Sequence, residues 1–234
     1  MKKIIIVALM AVVGMAANAQ LVKSRTFTEK KSNTMWYFRA GLAMNNAAGA
    51  GVDNLLSVSD ENSAGAKAGY DFSVGFHKPI SNFGLYWGME YGLGTRGAKA
   101  SFNDYGDEGK ASLLAHNVKV SPFTLGYKYS FTDDLKLDLH LGAFLSYDYA
   151  GKGKIEWNDG AEEEEDKIYD LEDYNGFDCG LQAGIGVWFG RFNLDLTYQR
   201  GFINVSEDDD LVDENGDLGS IYSSNFMIRL GVAF

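Results

Sequence analysis

Residues 135–147 read LKLDLHLGAFLSY. Leu135, Leu137, Leu139, Leu141, Ala143, Leu145 and Tyr147 take every second position, with Lys136, Asp138, His140 and Gly142 between them. A period of two belongs to a strand, because successive side chains leave opposite faces of the backbone. The pattern recurs on both sides of this stretch. It runs through Trp36, Phe38, Ala40, Leu42 and Met44, then Tyr70, Phe72, Val74 and Phe76, then Leu85, Trp87, Met89, Tyr91 and Leu93. A fourth segment holds Val118 and Val120, then Phe123, Leu125, Tyr127 and Tyr129; its parity slips at Pro122, which predicts a bulge. After 135–147 come Phe177 to Phe189, Phe192 to Tyr198, and Phe226 to Phe234, the last residue.

The connections between these eight segments alternate in length. Short ones fall at Ser81-Asn82, Thr132-Asp133-Asp134 and Gly190-Arg191, and long ones at 45–68, 95–113, 150–173 and 203–221. A β-sandwich gives no reason for every long loop to lie at one end. A membrane barrel does, with short turns on one side, long loops on the other, and strands of about ten residues. An even strand count puts both termini on the periplasmic side.

Face content separates a membrane barrel from a soluble one. A soluble barrel is apolar inside, whereas lipid as the outer solvent inverts that order. Here one face is almost purely apolar and bulky. The other holds glycine together with Arg39, Asp71, His77, Glu90, Lys128, Lys136, Asp138, His140, Asp178, Gln182, Asp195, Gln199 and Arg229. Aromatics gather at the segment ends. Trp36, Tyr86, Trp87, Tyr129, Phe131, Phe189, Phe192 and Phe234 lie near the short turns; Tyr70, Tyr91, Tyr147, Tyr149 and Phe202 lie near the long loops. Two such girdles mark two membrane interfaces. The sequence therefore predicts an all-β fold, an eight-stranded antiparallel up-and-down transmembrane barrel with long extracellular loops.

The chain begins with Lys2-Lys3, an apolar run from Ile4 to Ala17, and Ala17-Asn18-Ala19. That is the pattern of a cleaved signal peptide over 1–19. Residues 20–33 read as a flexible, basic periplasmic arm, and 34–234 as the barrel. Of 234 residues one is cysteine, Cys179, which excludes an intrachain disulfide and a thiolate zinc cluster. Loss of Lys2 and Lys3 takes the formal charge from −11 to −13. Acidity of this size argues against nucleic acid as a partner.

The segments 117–147 (NVKVSPFTLGYKYSFTDDLKLDLHLGAFLSY), 180–205 (GLQAGIGVWFGRFNLDLTYQRGFINV) and 225–234 (NFMIRLGVAF) resemble the small outer-membrane β-barrel domain family, sometimes described as porin family. OmpX and the OmpA transmembrane domain share its architecture. The resemblance covers about residues 34–234. It implies the outer membrane of a Gram-negative bacterium, with outer-membrane lipid and lipopolysaccharide as neighbours. It also implies that Leu230, Val232 and Phe234 form the signal read by the barrel-assembly machinery, a reading that strand addition would carry out. Arg229 stands where that signal usually carries Gly.

Eight strands enclose a lumen that side chains alone can fill. Unpaired charges there would each cost several kcal/mol, so Arg39, Lys128, Lys136 and Arg229 are expected to pair with Asp71, Glu90, Asp138, Asp178 and Asp195. This favours a plugged barrel, monomeric, acting as a structural or surface-interaction protein. The alternatives are a narrow ion or small-solute channel and, third, an enzyme acting on lipid A or peptides. For the enzyme, the nearest sets are Ser112 with His116 and Ser146 with Asp148, and neither has the spacing of a nucleophile motif. No cofactor is expected. The Gly92-Leu-Gly94-Thr-Arg-Gly97 match to a dinucleotide fingerprint lacks a following helix pattern.

Loop 150–173 carries three lysines against ten acids, and loop 203–221 seven acids and no base. Three roles stay open. The loops can be solvated and mutually repelling. They can bind a divalent cation, with Asp208, Asp210, Asp213 and Asp217 as weak metal ligands. Or they can bind an extracellular protein, with Trp157 and Tyr169 as anchors. Arg200, outward by parity near the external interface, is a candidate contact for a lipopolysaccharide phosphate.

Overall fold

A computed structural model describes residues 34–52, 63–80, 83–104, 107–157, 164–168, 174–205 and 219–234. The proposed signal peptide and arm, 1–33, lie outside them, as do Asp208, Asp210, Asp213, Asp217 and Tyr169. Ten strands follow in chain order: β1 (Met35–Ala48), β2 (Ser63–Gly65), β3 (Lys67–Pro79), β4 (Leu85–Asp104) and β5 (Asp107–Ser130); then β6 (Leu135–Trp157), β7 (Glu164–Lys167), β8 (Phe177–Phe189), β9 (Phe192–Gly201) and β10 (Tyr222–Ala233).

Eight of them form a closed antiparallel ring. Going round it, β1 pairs β3, β3 pairs β4, β4 pairs β5 and β5 pairs β6. Then β6 pairs β8, β8 pairs β9 and β9 pairs β10. The ring shuts where β10 meets β1, with Phe38 opposite Val232 and Gly41 opposite Arg229. Closure leaves no open edge, the condition for a sheet to stand in lipid. The two remaining strands, β2 and β7, are short additions to β4 and β6.

Burial is inverted, as the face contents predict. Arg39, Asp71, Asp138, Asp178, Asp195 and Arg229 are each no more than 2% exposed. Leu42, Leu141, Phe189, Phe192 and Leu230 are each more than half exposed. At the Pro122 slip the β5 register jumps between Val120 and Phe123, and the facing β4 register between Gly88 and Glu90. Proline has no N–H to give a ladder, so it falls where the ladder is already broken.

Two expectations need correction. Segment 95–113 is not a long loop: β4 and β5 stay paired as far as Asp104 opposite Asp107. Likewise β6 runs through Trp157 and β7 follows at Glu164–Lys167, so half of the 150–173 connection is strand. Beyond the lipid neither face must be apolar, so alternation fades from the sequence while backbone pairing continues. The result is a sheet of β2, β4, β5, β6 and β7 projecting past the rim at the long-loop end. Second, Tyr86 is not in the outer girdle. It is 2% exposed, and its hydroxyl donates to Asp138 at 2.6 Å. It follows Leu85 directly, so its parity is that of Glu90 and the lumen.

If lipid is the outer solvent, Leu141→Arg, in the middle of the apolar run of β6, will destabilise the barrel by about 2–4 kcal/mol. Urea unfolding in lipid vesicles measures this; a change under about 0.5 kcal/mol is what a water-facing position would show.

Candidate functional site

The middle of the lumen holds a charge network drawn from six strands. Arg229 on β10 is its centre. Its Nε and Nη2 donate to Asp195 Oδ1 at 2.9 and 2.6 Å, and its Nη1 to Glu90 Oε1 at 2.8 Å and Asp71 Oδ1 at 3.1 Å. Nη2 also reaches Thr197 Oγ1 at 3.0 Å. Arg39 on β1 donates through Nη1 to Glu90 Oε2 at 3.2 Å and through Nε to Asn193 Oδ1 at 2.9 Å. Its Nη2 stands 3.4 Å from Asp195 Oδ2. Lys119 on β5 donates to Asp71. Three cations thus face three carboxylates, and Tyr37 adds a hydroxyl donor to Glu90 at 3.0 Å. Charges buried to this degree persist only when paired and hydrogen-bonded.

A second cluster sits nearer the long loops. Arg96 donates through Nε and Nη2 to Asp148 Oδ2 at 2.9 and 2.6 Å, and through Nη2 to the Asn175 carbonyl at 2.6 Å. Its Nη1 lies 3.5 Å from Asp178 Oδ2. Tyr174 donates its hydroxyl to Asp148, and Ser223 donates to Asp178. Burial holds the Tyr174 phenol above its ordinary range, so it stays a donor. A third cluster lies toward the short turns. There Asp138 accepts from Tyr86 Oη at 2.6 Å and from Trp188 Nε1 at 2.9 Å.

The structure thus brings Arg39, Arg229, Asp71, Glu90 and Asp195 together and spreads the other expected members. Lys128 stands beside Asp138 in the β5–β6 register, yet the two form no ion pair among the described residues. Its ammonium lies instead over the rings of Tyr86, at 4.9 Å, and Trp188, at 4.7 Å. Asp138 is already taken by two neutral donors, and the aromatic faces offer the ammonium an alternative. Lys136 is half-buried at the short-turn mouth, lining a cavity of about 500 Å³ with Lys128, His77 and Tyr86. Asp178 pairs with Arg96 rather than with the central network. Lys119 and Arg96 are the functional cations missed in the sequence. Lys119 falls between Val118 and Val120 and was legible from that parity; Arg96 was hidden by the loss of alternation past Leu93.

The remaining candidates are placed as follows. His140 contacts Thr197 at 3.2 Å, and His77 stacks on Tyr86 with ring centroids 4.0 Å apart. Ser112 Oγ accepts from Lys67, while the His116 ring is engaged by the Tyr70 hydroxyl at 3.0 Å. Residues 92–97 lie inside β4, not in the turn before a helix. Arg200 takes the outer face and places its guanidinium 5.4 Å from the Tyr222 ring. Leu230 and Phe234 are on the outer face as well. Among the described residues, no group of three or more His, Cys, Asp or Glu side chains is arranged to hold a metal ion.

Closed ring, inverted faces and charged lumen agree with one comparison by sequence. Residues 18–207 match the model of the outer membrane protein beta-barrel domain family. The chain belongs to that family. It is an outer-membrane β-barrel, and membership places it in the outer membrane of Gram-negative bacteria. Among solved structures similar to this barrel is Ail, the attachment invasion locus protein of Yersinia pestis, solved with the heparin analogue sucrose octasulfate. It is 15% identical at a TM-score of 0.36, over 86% of this chain and 99% of that one. Neisserial surface protein A is 14% identical at 0.35, over 85% and 97%. The N-terminal β-barrel domain of Pseudomonas aeruginosa OprF is 10% identical at 0.34, over 87% and 98%. No curated protein matches the chain.

Removing the central cation while leaving its acids has a defined cost. Arg229→Met leaves Asp71, Glu90 and Asp195 with only Lys119 and Arg39, three buried carboxylates against two cations, and will destabilise the barrel by about 3–5 kcal/mol. Adding Asp195→Asn will recover part of that loss, giving a non-additive cycle in urea unfolding. Separately, Gly126→Ala will place a methyl against the Tyr86 ring and cost about 1–3 kcal/mol in the same assay.

Proposed function

We propose that this outer-membrane barrel is closed to solutes and acts as a structural or surface-interaction protein through its long-loop end. The observation that supports this is the balanced network of Arg39, Lys119 and Arg229 with Asp71, Glu90 and Asp195. It crosses the lumen from six different strands. A path for ions would have to break these pairs or pass between them. The cavity of about 500 Å³ at the short-turn mouth has the buried His77 and Tyr86 in its lining.

On this proposal both termini are periplasmic and the projecting sheet stands outside the cell, flanked by the acidic connections. The barrel is a monomer and no enzyme. Leu230, Val232 and Phe234 serve as the assembly signal, and their side chains on the outer face of a closing strand suit recognition by strand addition. The acidic connections over 150–173 and 203–221 remain the surface where an extracellular protein or divalent cation would bind.

Liposome swelling with the refolded wild type tests closure. Vesicles holding the protein are expected to swell in small sugars no faster than empty ones, and planar bilayers to show no steady conductance. Clear sugar flux through the wild type would establish the channel instead.

A further inference from the structure

The cavity of about 500 Å³ at the short-turn mouth joins two lysines to an aromatic rim. Lys128 on β5 and Lys136 on β6 both line it. Lys128 faces Asp138 and Ser130 faces Lys136 in the β5–β6 register, so the two lysines are diagonal neighbours on the inner side of the sheet. Neither forms an ion pair among the described residues. The Lys128 ammonium has the Met35 sulfur at 3.7 Å and the rings of Tyr86 and Trp188. Lys136 makes no hydrogen bond among the described residues. His77, in the same lining, is 3% exposed and keeps Nδ1 without a hydrogen-bond partner.

The surrounding acids do not balance these cations. Asp138 is fully buried behind them and already accepts from Tyr86 and Trp188. Asp133 and Asp134, in the turn between β5 and β6, are exposed and pair with neither lysine. Ser81 and Asn82, between β3 and β4, are neutral, and Lys30 and Lys31 precede β1 in the chain. The central network sets three cations against three carboxylates; the mouth sets two cations against one carboxylate that is already hydrogen-bonded. Like charges held side by side repel, and an anion between them turns that repulsion into two charge-assisted hydrogen bonds.

The rim supplies the other half of a site. Phe83, Tyr127 and Tyr129 line the cavity and are 70%, 38% and 51% exposed. The turn that carries Phe83 is clamped to the strand that carries Lys128. Gly84 takes a φ of 102°, and its carbonyl accepts from the Lys128 N–H at 2.9 Å. A Cβ at Gly84 would run into the Lys128 carbonyl. Ring and ammonium are thus held together by backbone contacts, and a cavity of this size with a few convergent polar groups suits a small organic molecule.

We propose that the short-turn mouth is a binding site for a small organic anion. Its carboxylate or phosphate lies between Lys128 and Lys136, and its apolar part lies against Phe83, Tyr127 and Tyr129. The site needs no path through the barrel, and it is the same whichever side of the membrane the mouth faces.

The full-length barrel, refolded in a zwitterionic detergent, is titrated with para-fluorobenzoate and, separately, with para-fluorophenyl phosphate, and fluorine NMR reads the bound fraction. At least one of the two is expected to bind with a Kd below about 1 mM, and the tighter one identifies the charged group that the site prefers. K136Q is expected to weaken binding about tenfold and K128Q/K136Q about a hundredfold. K78Q removes an exposed lysine that does not line the cavity and is expected to bind as the wild type does. The neutral para-fluorobenzamide is expected to bind at least about tenfold more weakly than the preferred anion. Folded-barrel gel mobility is the control for assembly. K136Q carries the test if the double variant does not fold, because Lys136 has no hydrogen bond to lose among the described residues. The proposal is overturned if neither anion binds at about 10 mM, if K136Q binds as tightly as the wild type, or if the amide binds as tightly as the anions.

Discussion

A sheet in lipid cannot leave backbone donors and acceptors unpaired, so the first and last ring strands must find each other. The rest of this molecule depends on that closure. Both arginines of the central network lie on the two closing strands, Arg39 on β1 and Arg229 on β10. Their acids come from β3, β4 and β9, the strands next to that seam or one beyond it. Asp71, Glu90 and Asp195 can therefore all be neutralised only when the ring is shut. Backbone pairing and charge pairing favour the same final state, and a half-closed sheet would leave both unsatisfied.

Narrowness gives the glycines their positions. Gly41 lies between Arg229 and Asp71 in register, Gly75 faces Glu90, and Gly186 lies between Asp138 and Asp195. A Cβ at Gly41 would run into the backbone of Ile228 and Arg229. A Cβ at Gly184 would meet the His140 ring. Large polar side chains thus stand beside glycines on the next strand, and the lumen is filled without overlap. The same constraint ties packing to electrostatics, because the space that glycine leaves is taken by the groups that balance the charge.

The sequence was least legible where lipid stopped imposing a pattern. From Leu135 to Tyr147 every outward residue must suit hydrocarbon, and alternation identifies both faces. Past Leu93 and Tyr149 that demand lapses. Arg96 and the rest of the projecting sheet therefore looked like parts of loops, although the backbone there is still paired strand to strand. Lys128 was legible as a lumen residue but not in its partner. Parity says which way an ammonium points, and only packing decides whether a carboxylate or two aromatic rings lie beneath it. Tyr86 was misplaced for a related reason: an aromatic near a strand end looks like a girdle residue until its parity is followed.

The amino-acid sequence by itself determined the class of fold, the number of ring strands, the inversion of polar and apolar faces, and the bulge at Pro122. Each is set by local periodicity, and the lipid surroundings make that periodicity strict. Tertiary structure alone decided which acid meets which cation, which glycine stands beside which large side chain, and where the strands outrun the membrane. Those depend on strand register and on chords across the lumen. Partners such as Arg39 and Asp195 are 156 residues apart in the chain yet 3.4 Å apart in space.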